Sequence, residues 1–404
     1  MEGAPAPDLW HVWIVLTVLA AVLVWPAFTW FGNTRHESEA EASRILESLR
    51  SKAQDGASNT PETKPDARDG GPGAVPVGMP EAHAVDRAPR FEQRLAAGSE
   101  VRAREMQTCL PEFAPLGTVD DLLSYSGPTP AVACAPRRVA FTPAPFRPRQ
   151  SRLLVCHDME GGYGQDRFVQ GGGFERPYRV YDWGIIDIFV YFSHSLVTIP
   201  PAGWIDVAHR HGTRVLGTLI TEWDAGYRDC CRLFCSAETA EAVADRLAAV
   251  AGDYGFDGWL VNIENKVEPG EDMSALLVFL KRLTPVMHER RPGSLVIWYD
   301  SVIDTGELDW QDCLNARNRQ FFDCCDGIFT NYTWKENYPA ACALEAGARR
   351  MDVYMGIDVF GRGTWGGGGF DSDKALGKIR RAGVSAALFA PAWTMEERVR
   401  GGGR

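Results

Sequence analysis

The chain lacks the features that would tie it to nucleic acid or to a metal. It has no long run of Lys or Arg, and its formal net charge is −11. Binding driven by phosphate neutralisation needs clustered cations, so that class is set aside. The ten cysteines carry no metal-ligand spacing. Cys230, Cys231 and Cys235 cluster and Cys324 and Cys325 are adjacent, yet neither group makes a C-x2-C pair or neighbours a His pair. They read as free thiols, which suits a reducing compartment. No metal and no cofactor is expected. The Gly-rich fingerprint of a dinucleotide fold is missing too: the turn at 157–164 reads HDMEGGYG, not G-x-G-x-x-G. Tryptophan, by contrast, is plentiful. Thirteen occur, most of them after residue 180. Flat side chains can line a sugar-binding cleft or simply fill a large core.

The N-terminal third differs from the rest. Residues 9–31 contain no Lys, Arg, Asp or Glu, and 23 residues are enough to cross a bilayer as a tilted helix. Trp10, Trp13, Trp25 and Trp30 lie towards its ends, as interfacial aromatics do. Glu2 and Asp8 precede it instead of a basic signal-peptide start, so an uncleaved transmembrane helix is expected. Arg35, Arg44, Arg50 and Lys52 follow it, which places the remainder on the cytosolic side. The expected location is the cytosol, with a membrane tether at 9–31. Residues 32–95 read as a short charged helix and a disordered linker of Pro, Gly, Ala, Asp and Glu. Residues 105–150 are Pro-rich, with a short helix near 118–125, and are expected to wrap the domain that follows.

From 151 to 404 the pattern alternates. Short apolar, β-branched runs fall at 153–159, 185–193, 214–221, 258–264, 294–301, 327–333, 352–360 and 385–393. Stretches of helical period separate them, most clearly at 236–255 and 274–291. Eight such units predict a single (β/α)8 TIM barrel, with a doubly wound open sheet as the alternative.

Barrels place their chemistry at the C-terminal ends of the strands. Those ends turn polar or aromatic here: His157 and Asp158, Ser193 and His194, Thr221, Glu222 and Trp223, Asn262 and Glu264, Tyr299 and Asp300, Asn331 and Tyr332 with Trp334 beyond, Asp358, and Trp393. The fourth strand is the most telling. Alternation puts Asn262 and Glu264 on one face, with Cα atoms roughly 6–7 Å apart. An acid beside an amide at that spacing suits a sugar bearing a 2-acetamido group. The acid protonates the leaving oxygen, and the amide grips the acetamido N–H while the acetyl oxygen attacks the anomeric carbon. Such substrate-assisted glycosidases dispense with a second carboxylate.

Several segments resemble the family 85 glycoside hydrolases, and most of all their animal cytosolic member. They are FDGWLVNIEN (256–265), LVCHDMEGGYGQDRF (154–168), YFSHSLVTIPPAGW (191–204), HGTRVLGTLITEW (211–223), WYDS (298–301), FTNYTW (329–334) and DVYMGIDVFGRG (352–363). The resemblance spans about residues 110–393. It implies an endo-β-N-acetylglucosaminidase that cleaves the GlcNAc-β1,4-GlcNAc core of N-glycans, glycopeptides or free oligosaccharides, with retention, through an oxazoline-type intermediate. It puts the acid/base at Glu264, the acetamide-orienting residue at Asn262 and an assisting tyrosine at Tyr299. It also puts substrate contacts at Trp310 and Trp334. His157, Asp158, His194, Trp223, Asp358 and Trp393 complete the expected substrate-binding set. The strand-four segment also resembles the chitinase pattern D-x-x-D-x-D-x-E, but Leu260 and Asn262 stand where two aspartates belong, against an ordinary chitinase. The family usually carries β-sandwich domains after the barrel. Here TMEERVRGGGR follows the eighth strand, so a short or missing last helix is expected. A catalytically silent glycan-binding barrel and a truncated inactive form are the rival readings.

Overall fold

The computed structural model describes residues 112–128, 140–148, 150–169 and 177–401. The expected transmembrane helix at 9–31 and the helix and linker at 32–95 lie outside the described residues. Among the described residues no helix is long and apolar enough to cross a membrane.

Eight parallel strands form in chain order: β1 (Leu153–His157), β2 (Ile188–Tyr191), β4 (Arg214–Glu222), β5 (Gly258–Glu264), β6 (Leu295–Tyr299), β7 (Gly327–Thr330), β8 (Val353–Asp358) and β9 (Ser385–Phe389). Each pairs with its neighbours, and the β2–β4 and β1–β9 pairings close the sheet into a barrel. All eight coincide with the apolar runs of the sequence. One short strand was not expected: β3 (Val197–Thr198) lies antiparallel on β4. The helices of the outer ring include α2 (Ala202–Arg210), α3 (Trp223–Leu233), α4 (Ala237–Tyr254), α5 (Glu271–Arg290), α6 (Arg319–Cys324), α7 (Tyr338–Ala346), α8 (Ser372–Ala382) and a nine-residue α9 (Trp393–Gly401). Ahead of them, α1 (Val119–Leu123) opens on a capping box between Thr118 and Asp121.

Strand alternation divides the apolar side chains into two cores. Leu154, Cys156, Ile188, Val190, Leu216, Ile220, Leu260, Ile297, Phe329, Tyr354 and Ala387 fill the barrel. Val155, Phe189, Val215, Leu219, Trp259, Val261, Ile263, Val296, Trp298 and Ile328 face the helices. In α4 the residues Ala240, Val243, Ala244, Leu247, Ala248 and Ala251 are buried at i, i+3, i+4 spacing, the stripe an amphipathic helix turns to a core. Ser236 caps its start and Gly255, in the left-handed region, ends it.

The closed bottom of the barrel carries much of the polar scaffolding. Asp257, just before β5, accepts hydrogen bonds from His209 Nε2 at 2.7 Å, Val215 N at 2.9 Å and Arg291 Nη2 at 2.5 Å. Burial raises its pKa, but His209 and Arg291 win and hold the carboxyl below its ordinary range. The next residue, Gly258, has φ 141°, and a Cβ there would collide with the carbonyl of Leu295. Only glycine brings β5 this close to β6 at that point. From the segment ahead of β1, the Phe146 ring sits under Arg152 and Arg214 at 4.2 and 3.9 Å, and Arg214 Nη2 donates to Ala144 O at 2.8 Å.

Candidate active site

The inner phase of β5 runs from Leu260 through Asn262 to Glu264, so amide and carboxyl point up the barrel axis toward the mouth. Ile220 pairs with Asn262 and Glu222 with Glu264 in the β4–β5 ladder. Two carboxylates therefore stand side by side on adjacent strands. Burial and the Glu222 charge push Glu264 up to about 7, against the pull of a hydrogen bond from Asn262 and of the cations His194 and Arg362. Glu264 is thus a half-protonated acid at neutral pH, as a general acid should be.

Asn262 is 4% exposed. Its NH2 group faces the Glu264 carboxyl and lowers that group's pKa. At the other end, Asn262 Oδ1 is buried and has no hydrogen-bond partner within the protein. Leaving a buried carbonyl oxygen unsatisfied costs about 1–3 kcal/mol, so such an atom calls for an explanation. A ligand N–H beside Glu264 supplies one.

Around this pair stand residues from other strand ends. His194 Nδ1 lies 2.9 Å from Glu222 Oε2, and this contact raises the imidazole pKa. Asp158 accepts from Gly161 N at 2.9 Å; burial raises its pKa, while His194 and Arg362 lower it. Asp358 is fully buried and grips Arg362, with Nε at 2.9 Å and Nη2 at 3.2 Å. Arg362 also lies over the rings of Tyr332, Phe360 and Phe389. From β6, Tyr299 points inward and its hydroxyl donates to Asn331 Oδ1 at 3.0 Å. Burial first, then the nearby Glu264 charge, drives its pKa up, so the phenol stays neutral. Asp300, next along the chain, is buried and pushed up to about 7, mainly by desolvation.

Three expected aromatics are accessible at the mouth. Trp223 is 78% exposed and Trp310 42% exposed. Trp393 opens α9 just beyond β9, half-buried and edge-on to the exposed Phe370 ring at 5.5 Å. The described non-glycine residues with positive φ are Glu160, Tyr163, Trp223, Asp312 and Ala390, and each follows a strand at this end of the barrel. Non-glycine residues held there are strained, and strain of this kind gathers at functional sites.

Two expected site residues are not at the mouth. His157 shares the outward phase of Val155 and packs between the sheet and its surroundings, 5.0 Å from the Trp204 ring and 5.3 Å from Phe189. Neither ring nitrogen has a partner, and burial pulls its pKa to about 3, so it is a neutral core histidine. Trp334 is 2% exposed, stacks on Trp365 at 5.6 Å and donates its indole N–H to Gly356 O at 2.7 Å. It is a packing residue, and no face of it is open to a sugar. Conversely, Glu222, Arg362, Asn331 and Asp312 belong to the site without having been placed in it. Glu222, Asn331 and Arg362 lay in the strand-end segments already singled out; Asp312 sits mid-loop, where no periodicity marks it. Among the described residues no cluster of three His, Cys, Asp or Glu side chains is arranged to hold a metal ion.

Comparisons with known proteins bear on the fold and the family. A solved glycoside hydrolase domain, Endo-D from Streptococcus pneumoniae R6, superposes with a TM-score of 0.56 over 70% of this chain and 47% of that one. At 20% identity that likeness speaks for the fold alone. Cytosolic endo-beta-N-acetylglucosaminidase 1 of Arabidopsis thaliana is 58% identical over 245 residues, 61% of this chain and 36% of the relative. The Homo sapiens cytosolic endo-beta-N-acetylglucosaminidase is 48% identical over 300 residues, 73% of this chain and 40% of the relative. The chain thus spans about two fifths of the length of the curated relatives it matches. A family model, glycosyl hydrolase family 85, matches residues 162–402, and with Asn262 and Glu264 set side by side in that span the chain belongs to this family.

Proposed function

We propose that the protein is an endo-β-N-acetylglucosaminidase. It cleaves the GlcNAc-β1,4-GlcNAc bond in the core of N-glycans, glycopeptides or free oligosaccharides. The observation that carries this reading is the pairing of a buried amide oxygen on Asn262, without a partner in the protein, with Glu264 one turn of the pleat away, whose pKa burial pushes up to about 7.

In the first step Glu264 gives its proton to the bridging oxygen as the glycosidic bond breaks. The acetamido oxygen of the same sugar attacks the anomeric carbon and closes an oxazolinium ring, with the N–H proton kept on its nitrogen. Asn262 Oδ1 accepts the acetamido N–H and aims that oxygen. In the second step the Glu264 carboxylate takes a proton from water, which opens the ring on the face the leaving group had occupied. Two inversions give net retention, and no protein nucleophile is consumed. Asp158, His194 and the Arg362 held by Asp358 offer polar contacts to sugar hydroxyls. Trp223, Trp310 and Trp393 offer faces for the rings.

The direct test is Glu264→Gln, which keeps the shape and removes the proton. Release of glycan from a high-mannose glycopeptide, followed by mass spectrometry, should fall by at least about a hundredfold. Turnover unchanged in a folded variant excludes Glu264 as the donor.

The relatives' names carry the word cytosolic, and we place this chain there too. The apolar run at 9–31 adds a proposed membrane tether with the barrel on the cytosolic side. In microsomes the barrel should be digested by added protease without detergent. Protection until detergent is added contradicts the orientation.

A further inference from the structure

The geometry points to Asn331 and Asp312 as a positioning relay that sets the place and the hydrogen-bond direction of the Tyr299 hydroxyl. The relay rests on the functional reading above, since Tyr299 matters only if the site does chemistry.

A phenol has one proton to give. In Tyr299 that proton goes to Asn331 Oδ1 at 3.0 Å. The two ends of an amide are alike in shape, and only the surrounding network tells them apart. Here the network is decisive. Asn331 Nδ2 donates to Asp312 Oδ1 at 2.8 Å and to Thr333 Oγ1 at 3.1 Å. The Thr333 backbone N–H can only donate, so Asp312 Oδ1 stands as an acceptor, the NH2 end of Asn331 faces it and the oxygen faces Tyr299. Asp312 Oδ1 is itself held by Thr333, through Oγ1 at 2.7 Å and the backbone N–H at 3.2 Å. The backbone N–H of Asn331 adds a longer contact, 3.4 Å, to the buried Asp300.

The consequence is a phenol that meets the substrate already oriented. Its proton is committed away from the ligand, which leaves the oxygen lone pairs for the incoming group. The backbone supports the assignment. Asp312 adopts φ 56°, which a non-glycine residue avoids unless its surroundings impose it. Trp310 stands two residues earlier on the same loop. Asn331 and Asp312 are therefore positioning residues that act through Tyr299.

A double-mutant cycle on the full chain tests this, with kcat and KM measured on an N-glycopeptide and melting temperature recorded for each variant. Asn331→Ala should lower kcat about three- to tenfold, the scale of one neutral hydrogen bond, with KM held within about twofold. In the Tyr299→Phe background the same substitution should cost nothing further. Asp312→Asn keeps shape but frees the amide to turn, and should repeat the pattern; it carries the test if Asn331→Ala does not fold. Equal losses in both backgrounds, tracking the melting temperature, overturn the relay and leave Asn331 a packing residue. An inactive wild-type chain counts instead against the functional reading. The relay then still answers to NMR: the Asn331 side-chain amide signals should move in Tyr299→Phe and in Asp312→Asn, and unmoved signals overturn it.

Discussion

The proton on Glu264 has a calculable worth. A carboxyl at its ordinary value of 4.5 would be protonated roughly once in 300 molecules at pH 7, whereas one at about 7 is protonated in half of them. Burial and the Glu222 charge therefore enlarge the acid form roughly 150-fold at neutral pH. Because the proton must be present for bond cleavage, kcat/KM should fall as pH rises through about 7. Glu222→Gln removes the neighbouring negative charge, so the Glu264 pKa should drop and the basic limb should move to lower pH. Desolvation is the larger cause and persists in that variant, so the limb should not return all the way to the ordinary carboxyl range. The assay is a pH series of glycopeptide hydrolysis from pH 4 to 9 on wild type and Glu222→Gln. A limb that stays put, or moves upward, in Glu222→Gln refutes the electrostatic reasoning.

The same raised pKa has a cost in stability, with a definite sign. Between its ordinary range and about pH 7 the folded chain holds a proton on Glu264 that the unfolded chain has released, so stability falls as pH rises through that window. Glu264→Gln removes this penalty and should melt higher than wild type at pH 8 but not at pH 4, as differential scanning calorimetry can read. At the barrel floor, Asp257→Ala strands His209 and Arg291 and should destabilise the fold by about 3–5 kcal/mol in denaturant titration. Trp223→Ala should raise KM with little change in melting temperature, because the ring is exposed; Trp334→Ala should instead lose about 3–5 kcal/mol of stability, because that ring is packed.

Most of the architecture was legible because two simple periods carry it. Strand alternation by itself puts Asn262 and Glu264 on one face, and the ladder between β4 and β5 has the same phase through Ile220 and Glu222. The same rule separates His157 from the mouth, since it shares the phase of Val155. That was harder to see beforehand because β1 is apolar on both faces, and a polar residue at its end reads as catalytic by default. Trp334 misled for a related reason. It follows a strand end, yet the chain turns back and tucks the indole inward, where its N–H donates to the Gly356 carbonyl. Charge–charge relations were not legible at all. Glu222 reaches Glu264 through the β4–β5 pairing and Arg362 from the loop after β8, and only the folded barrel brings these distant stretches of sequence together.

The central claim is that Asn262 serves one half of the reaction and Glu264 both. It is tested most directly by giving each variant two substrates, an N-glycopeptide and a preformed sugar oxazoline with a GlcNAc acceptor, and recording the melting temperature alongside. Asn262→Ala should scarcely hydrolyse the glycopeptide, because nothing then aims the acetamido oxygen. It should still transfer the ready-made oxazoline, because Glu264 remains as base for the acceptor hydroxyl. Glu264→Ala should be impaired in both. Loss of both activities together in Asn262→Ala, with a lowered melting temperature, would contradict the account and make Asn262 a structural residue.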